Sequence, residues 1–294
     1  MATWAATMVD GVAYGLLLFT VSAGLALIFG VMDVLNLAHG TFYLAGAYLA
    51  WALGDGVAAF SAVAGLVALG VAALAVGAAG GGLLALALRP LRAGADHLDQ
   101  ALATLGLAFI ASWAFTEAFG AAPLPASPPA ALAGNVVIAG HGYPVYRLLF
   151  IVVAAFLAAC LHLVVRSTHA GTLLRATVSD PAMAAASGIR VNRVRVTALA
   201  VGGAITTLAG VLGAPLLGPA PGVDVQVLVL SLVVVVVGGA GSVVHTLAAA
   251  LLVGQVQTVG VIAAPTLAAF LLFGMVLAVL VIRGRTGAAA VLRA

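Results

Sequence analysis

Three polar side chains interrupt an apolar run near the start of the chain. Asp33, Asn36 and His39 lie within the stretch 25–48, and Gly40 follows them. Hydrocarbon cannot satisfy such side chains, so they occur at membrane depth only inside protein or beside a water-filled cavity. Their chemistry is hydrogen bonding, either to a solute or between helices. The stretch therefore predicts a pathway through a membrane, and hence transport.

Five residues at this interruption are candidates for lining the pathway. Gly40 can adopt backbone conformations that residues with a Cβ avoid, so a helix break is predicted there. A broken helix presents free backbone N–H groups and the positive end of its dipole to an anionic group. The alternative is that Asn36 and His39 only cross-link helices through hydrogen bonds. The candidates are Asn36, His39, Gly40, Thr41 and Tyr43.

The composition indicates that the elements holding these residues lie in lipid. Of the 294 residues, 65% are hydrophobic and only 6% are charged, whereas soluble domains carry about 25% charged residues. Only lipid tolerates so uncharged a surface. We therefore predict an all-α polytopic membrane protein with a single transmembrane domain over residues 1–294.

The residue types exclude several enzymatic functions. All eleven basic residues are Arg, so the chain has neither the lysine of a phosphate-binding P-loop nor a Schiff-base lysine. It contains no His-Glu-x-x-His or Cys-x-x-Cys sequence, and its six His residues lack metal-ligand spacing. We predict no catalytic residue, metal site or cofactor in this chain. Any energy from ATP must then reach it through another chain.

Nine apolar runs approach the length of about 20 residues that a spanning helix needs. They predict eight or nine transmembrane helices, with at least one broken or re-entrant segment. The third run is long enough to tilt strongly or to break at residues 80–82. The runs are 11–31, 41–54, 57–88, 101–120, 146–165, 196–213, 225–239, 243–263 and 265–282.

The arginines orient these helices. Because short cytoplasmic loops are rich in Arg and Lys, we place three arginine groups in the cytoplasm. The first is the loop with Arg89 and Arg92, and the second is the loop of about 166–195. Two runs separate the first group from the second and four separate the second from the third, so the orientation is consistent. This distribution accounts for the basic residues without a nucleic-acid partner. The third group contains Arg283, Arg285 and Arg293.

The segment of about 121–145 then faces outside. Its five prolines prevent a continuous helix, so we predict a structured external loop. Arg147 follows at the external end of the next run, where a long side chain can reach the interface. No arginine precedes Arg89, which leaves the side of the N-terminus undetermined.

The second arginine loop contains the signals of a short helix. Asp180 can cap its N-terminus, Pro181 suits the first position, and Gly188 suits the stop. A helix of under two turns is unstable alone in water, so we predict that it docks on a partner, with Arg175 nearby. The alternative is an ordinary cytoplasmic loop.

A glycine-rich segment separates two very apolar runs late in the chain. Gly239, Gly241 and Ser242 predict either a second helix break or a tight turn between helices.

Four segments, in this order, resemble LivH-type permeases, the membrane subunits of bacterial branched-chain amino acid ABC importers. The resemblance covers nearly the whole chain. The segments are Gly24-Leu-Ala-Leu-Ile-Phe-Gly-Val-Met32 with Leu35-Asn-Leu-Ala-His-Gly40; Arg89-Pro-Leu-Arg92 with Ala103-Thr-Leu-Gly106; Arg175-Ala-Thr177 with Asp180-Pro181 and Ala186-Ser-Gly-Ile189; and Gly238-Gly-Ala-Gly-Ser242.

The resemblance implies one subunit of a multi-pass importer in the bacterial inner membrane, with a cytoplasmic C-terminus. A periplasmic binding protein would deliver a branched-chain or other hydrophobic amino acid. Two related permeases would form the path, and two ATPase subunits that bind ATP and Mg would drive transport. The resemblance places residues 180–188 against an ATPase and residues 36–40 near the path.

Two alternatives stay open. Relatives of this family carry urea, short amides and other small organic solutes, so the same architecture could import one of those. A stand-alone secondary transporter is a further alternative, and it would need ionisable residues within the membrane, for which Asp33 and Glu117 are moderate candidates.

Overall fold

The chain, seen in a computed structural model, is described over residues 2–57, 61–93, 97–138, 141–239 and 242–291. These residues form eleven α-helices and one two-stranded antiparallel hairpin. The helices are α1 (Ala2–Met32), α2 (His39–Val57), α3 (Ala62–Ala87), α4 (His97–Phe119), α5 (Val145–Ser167), α6 (His169–Ser179), α7 (Pro181–Ala186), α8 (Val191–Leu217), α9 (Val223–Gly238), α10 (Val243–Ala263) and α11 (Ala268–Val291), and the strands are β1 (Asn135–Ile138) and β2 (His141–Pro144).

The helices confirm an all-α polytopic membrane protein. Six of them, α1, α3, α4, α5, α8 and α10, are long and apolar enough to cross a membrane, and α9 and α11 contribute shorter apolar segments. Each of the nine predicted runs falls on one helix, and the run 41–54 falls on α2. The suggested break at residues 80–82 is wrong, because α3 is continuous there. Its glycines instead let another helix approach closely.

That neighbour is α8, the centre of the bundle. It packs against α1, α2 and α3 through small residues on both sides of each contact. Gly77 of α3 lies against the backbone of Gly203, and Gly46 of α2 lies against the carbonyl of Thr207. Such small residues allow helices to pack closely where lipid supplies no hydrophobic driving force.

One end of the bundle carries the arginine loops. Ile28 near the end of α1, Leu88 after α3 and Leu199 near the start of α8 share one core cluster. Two long helices, α4 and α5, separate the first arginine loop from the second, and α8 to α11 follow it, as predicted from the charges. The second loop contains α7, as predicted, and also α6, which was not. Arg293 lies outside the described residues.

The opposite end carries the proline-rich segment. Its prolines are followed by the β1–β2 hairpin, in which Asn135 pairs with Pro144. The backbone N–H of Leu124 donates to the carbonyl of Pro219, in the link between α8 and α9. The N-terminal part of α1 lies at this end, because the Tyr143 hydroxyl donates to Asp10 at 2.8 Å.

Candidate functional site

The helix break lies in the link 33–38 between α1 and α2, before Gly40, where it was predicted; Gly40 is the second residue of α2. Asp33 has a φ of +54°, a left-handed conformation that ends the path of α1. The Asn36 side-chain oxygen accepts a hydrogen bond from the N–H of Ala38 at 3.1 Å, and the Asn36 carbonyl accepts one from the N–H of His39 at 3.2 Å. Asn36 therefore caps the start of α2, and these N–H groups are not free for an anion.

The link is also attached to α4. The N–H of Leu37 donates to the Thr104 hydroxyl at 3.0 Å, and that hydroxyl donates to the carbonyl of Ala101 at 2.8 Å. Thr104 is buried, whereas the other residues of α4 are exposed or partly exposed. Thr104 also lies 3.5 Å from the carbonyl of Leu35, so this one side chain holds the break against a peripheral helix.

His39 connects α2 to two further helices. Its Nε2 lies 3.0 Å from the carbonyl of Val21 in α1 and 2.8 Å from the Thr206 hydroxyl in α8. Because a carbonyl oxygen only accepts, Nε2 must carry a hydrogen for the first bond to form. The imidazole is fully buried, and its Nδ1 has no partner among the described residues. His39 thus makes the cross-link that the alternative interpretation predicts.

These contacts place the start of α2 halfway along the bundle. Val21 is residue 20 of the 31 in α1, and Thr206 is residue 16 of the 27 in α8. A helix that begins beside the middle of two spanning helices is a partial crossing, which is how transporter folds build solute sites.

The other path candidates lie on different sides of α2. Thr41 borders a groove of about 320 Å³ between α2, α3 and α4, which Phe115 and Thr207 also line. Tyr43 is fully buried against α8, and Gly40 packs so closely on α9 that a Cβ would overlap the carbonyl of Asp224. The structure brings the five candidates together, but Thr41 is the one among them that faces a cavity of the described bundle.

Asp224 is a residue that the sequence argument missed. It is the second residue of α9 and only 4% exposed, and its Oδ1 has no hydrogen-bond partner in the described part of the chain. In the sequence it stands at the edge of a long apolar run, where a charged residue is usually read as a flank in water. The contact with Gly40 shows instead that α9, like α2, begins halfway along the bundle.

A wider cavity of about 610 Å³ lies towards the proline-rich end. Trp51 of α2, Leu69 of α3 and Pro215 of α8 form its walls, and residues 125–131 cover it. The proline-rich segment therefore borders a cavity between α2, α3 and α8.

An ion pair explains the arginine at this end. Arg147 pairs with Asp10 of α1, and both side chains are about one-third exposed. Burial, together with the hydrogen bond to Asp10, raises the pKa of the Tyr143 phenol above its usual range, so the hydroxyl keeps its hydrogen as the donor.

The predicted short helix has the expected caps. The Asp180 carboxylate accepts from the N–H of Met183 at 2.9 Å, and Pro181 is the first residue of α7. Gly188 has a φ of +85°, and the N–H of Ile189 reaches back to the carbonyl of Ala184. Between these caps α7 exposes Met183, at 64% of its surface. The short helix is thus capped at both ends and exposed, as its sequence predicts.

Arg175 and the late turn share a small cavity at the arginine end. Arg175 of α6 donates to the carbonyl of Val165 and lines a cavity of about 260 Å³ with Ser242 and Thr246. Gly239 ends α9 with a φ of +81°, and Ser242 caps α10, so the tight-turn interpretation fits these two residues. Gly241 lies outside the described residues.

Nothing in the described ranges groups three His, Cys, Asp or Glu side chains for a metal.

The sequence of this chain is similar to those of known proteins. A model of the family described as the permease component of branched-chain amino acid transport systems matches residues 7–280. The high-affinity branched-chain amino acid transport system permease protein BraD of Pseudomonas aeruginosa is 25% identical over 267 residues, which cover 86% of this chain and 85% of BraD. No solved structure matches the chain.

Proposed function

We propose that this chain, which belongs to the permease family of branched-chain amino acid transport systems, is the membrane-spanning permease subunit of an ATP-binding-cassette importer. The observation that supports this most directly is α7. It is capped at both ends, exposed and apolar, and it lies in the loop that carries five of the eleven arginines. An ATPase subunit that docks on α7 would transmit its motion through α6 and α8.

The importer needs further chains. Since this chain has no Lys for a P-loop, two ATPase subunits would bind ATP and Mg. A second related permease would complete the path, and a periplasmic binding protein would deliver the solute to the proline-rich end. The arginine end and the C-terminus would then face the cytoplasm of a bacterial inner membrane.

Docking at α7 can be tested with two matched substitutions. Met183→Arg places a charge on the exposed face of α7, whereas Val137→Arg does the same on the equally apolar hairpin at the other end, where Val137 is 73% exposed. We expect the ATPase subunits to co-purify with the wild type and with Val137→Arg, but not with Met183→Arg. Equal recovery with both variants would contradict the assignment of α7.

The solute we propose is a branched-chain or other hydrophobic amino acid, in line with the branched-chain amino acid transport for which BraD is named. The same architecture could instead carry urea or a short amide. Titration of the partner binding protein with a panel of amino acids, ureas and amides decides between them, because delivery by that protein sets which solute reaches the permease.

Asp224 favours one other candidate function. A buried acid within a membrane bundle is typical of ion-coupled transport, so a stand-alone secondary transporter is the second candidate. It would transport without ATPase subunits and would respond to an ion gradient, whereas the proposed importer requires ATP.

A further inference from the structure

A carboxylate without a partner is buried where α2 and α9 both begin. Asp224 is 4% exposed, and neither a side chain nor a backbone N–H of the described residues bonds its Oδ1. It does not cap α9, because the cap position is Gly222 and no side chain bonds there. The local structure of α9 therefore does not explain why Asp224 is an acid.

The carboxylate lies at the start of a helix and has no cationic side chain among the described residues as a partner. A helix N-terminus stabilises an anion, and Asp224 is in the first turn of α9. No Arg or His side chain within the described ranges pairs with Asp224. The ion pair in those ranges joins Arg147 to Asp10. Buried charges are normally paired, because desolvation is expensive. A positively charged group would complete such a pair at Asp224.

The face of α2 that contacts Asp224 also carries Tyr48, an aromatic residue whose hydroxyl is a second unpaired polar group in the described ranges. Gly40, Leu44 and Tyr48 share one face of α2 at intervals of four residues. Gly40 contacts the backbone of Asp224, and Tyr48 lies two turns further along the same face of α2. The Tyr48 hydroxyl is buried and has no partner among the described residues.

The Tyr48 ring is fixed by α4. It stacks on Phe119 at a centroid distance of 4.4 Å and on Phe115 at 5.4 Å. A carboxylate, a hydroxyl acceptor and aromatic faces together suit an organic ammonium group, which aromatic rings attract through their quadrupole.

We propose that Asp224 and Tyr48 bind the ammonium group of an α-amino acid during its passage. This inference rests on the proposed function and narrows its solute class to a zwitterion, rather than urea or a neutral amide. In the present conformation the backbones of Gly40 and Asp224 touch, so the solute reaches the carboxylate when α2 and α9 move apart. Both helices begin halfway along the bundle, which is where alternating access requires the site.

The test is uptake of radiolabelled L-leucine by the complete transporter in proteoliposomes, with ATPase stimulation by the loaded binding protein measured in parallel. Asp224→Asn keeps the shape and removes the charge, and we expect uptake to fall by roughly tenfold or more, as for a lost hydrogen bond to a charged group. ATPase stimulation should persist. Asp224→Glu should retain more uptake than Asp224→Asn, and Tyr48→Phe should lower uptake severalfold while keeping the stacking. Glu117→Gln, an exposed acid on α4, should match the wild type.

Several results would overturn the proposal. Wild-type leucine uptake by Asp224→Asn overturns it alone and leaves the proposed function intact. Equal loss of uptake and of ATPase stimulation in the Asn and Glu variants marks a structural role and overturns it as well. Wild-type uptake by Tyr48→Phe would contradict the binding of the ammonium group by the Tyr48 hydroxyl. A wild-type complex that imports urea or an amide but not leucine overturns the proposed zwitterionic solute and this inference together.

Discussion

His39 ties the start of α2 to the rest of the bundle. Its Nε2 meets a carbonyl of α1 and a hydroxyl of α8, and the ring is fully buried. The substitution Thr206→Val removes that hydroxyl at almost constant volume. We expect it to lower the free energy of unfolding by about 1 kcal/mol, the usual net value of one hydrogen bond. Thermal unfolding in detergent measures this.

Thr197→Val is the matched control for that substitution. Thr197 lies on the same helix, but it is exposed and its hydroxyl bonds only carbonyls of its own turn. We expect little change in its unfolding temperature. If Thr206→Val and Thr197→Val shifted that temperature equally, the cross-link through His39 would contribute nothing to stability.

Asn36 and His39 also have a predicted role in transport. If they shape the path, Asn36→Leu and His39→Leu should each lower solute uptake while the permease still assembles with its ATPase subunits. Uptake and co-purification, measured on the same preparations, separate the two effects. Normal uptake by both variants would leave capping and cross-linking as their whole role.

The sequence predicts part of this site and misses part of it, for a physical reason. Asn36 and His39 stand inside an apolar run, and a polar group there needs a partner. Asp224 stands at the edge of a run, where water normally solvates a charge. Its burial follows from the close approach of α9 to Gly40, which is a tertiary contact that no local pattern contains.

At the scale of helices, neighbouring glycines of α3 give a matched pair. A Cβ at Gly81 would overlap the backbone of Leu199 in α8, whereas a Cβ at Gly82 meets nothing. Gly81→Ala should therefore lower the free energy of unfolding by about 1–3 kcal/mol, the range for overpacking. Gly82→Ala should leave it unchanged or raise it. Denaturation in detergent compares the two, and a stable Gly81→Ala variant would contradict the α3–α8 packing.

Substitutions of Asp180 can separate the effect of its charge from the effect of its capping of α7. Asn is as good an N-cap as Asp, whereas Ala is not, so Asp180→Asn should keep ATPase coupling and Asp180→Ala should weaken it. Asp180→Arg removes the cap and reverses the charge, and should uncouple ATP hydrolysis from uptake in a folded protein. Uptake per ATP hydrolysed is the quantity to measure. Wild-type coupling in Asp180→Arg would contradict docking at α7.

Cap rules predict α7, because Asp180, Pro181 and Gly188 are local signals of a helix start and stop. They do not predict α6. That helix depends on Thr168, whose hydroxyl accepts from the N–H of Gly171, and on Arg175, which reaches the carbonyl of Val165 at the end of α5. The second contact spans ten residues of sequence and exists only once α5 and α6 have folded against each other.

For the whole molecule, the helices of 16 residues or more number nine in the described ranges, so Ala2 and Val291 lie at opposite ends of the bundle. Positive-inside orientation then predicts that the proline-rich end faces outside. In a Cys160→Ala background, which has no other cysteine, Ala133→Cys should react with an impermeant maleimide on intact spheroplasts. Ser187→Cys, beside α7, should react only after permeabilisation. The reverse pattern would invert the orientation.

The most direct measurement of the central claim is leucine uptake into proteoliposomes that contain this permease. We predict uptake only when the second permease, the ATPase subunits, internal ATP and the external binding protein are all present, with no response to an imposed ion gradient. Uptake by this chain alone, driven by a proton or sodium gradient without ATP, would contradict its assignment as an importer subunit.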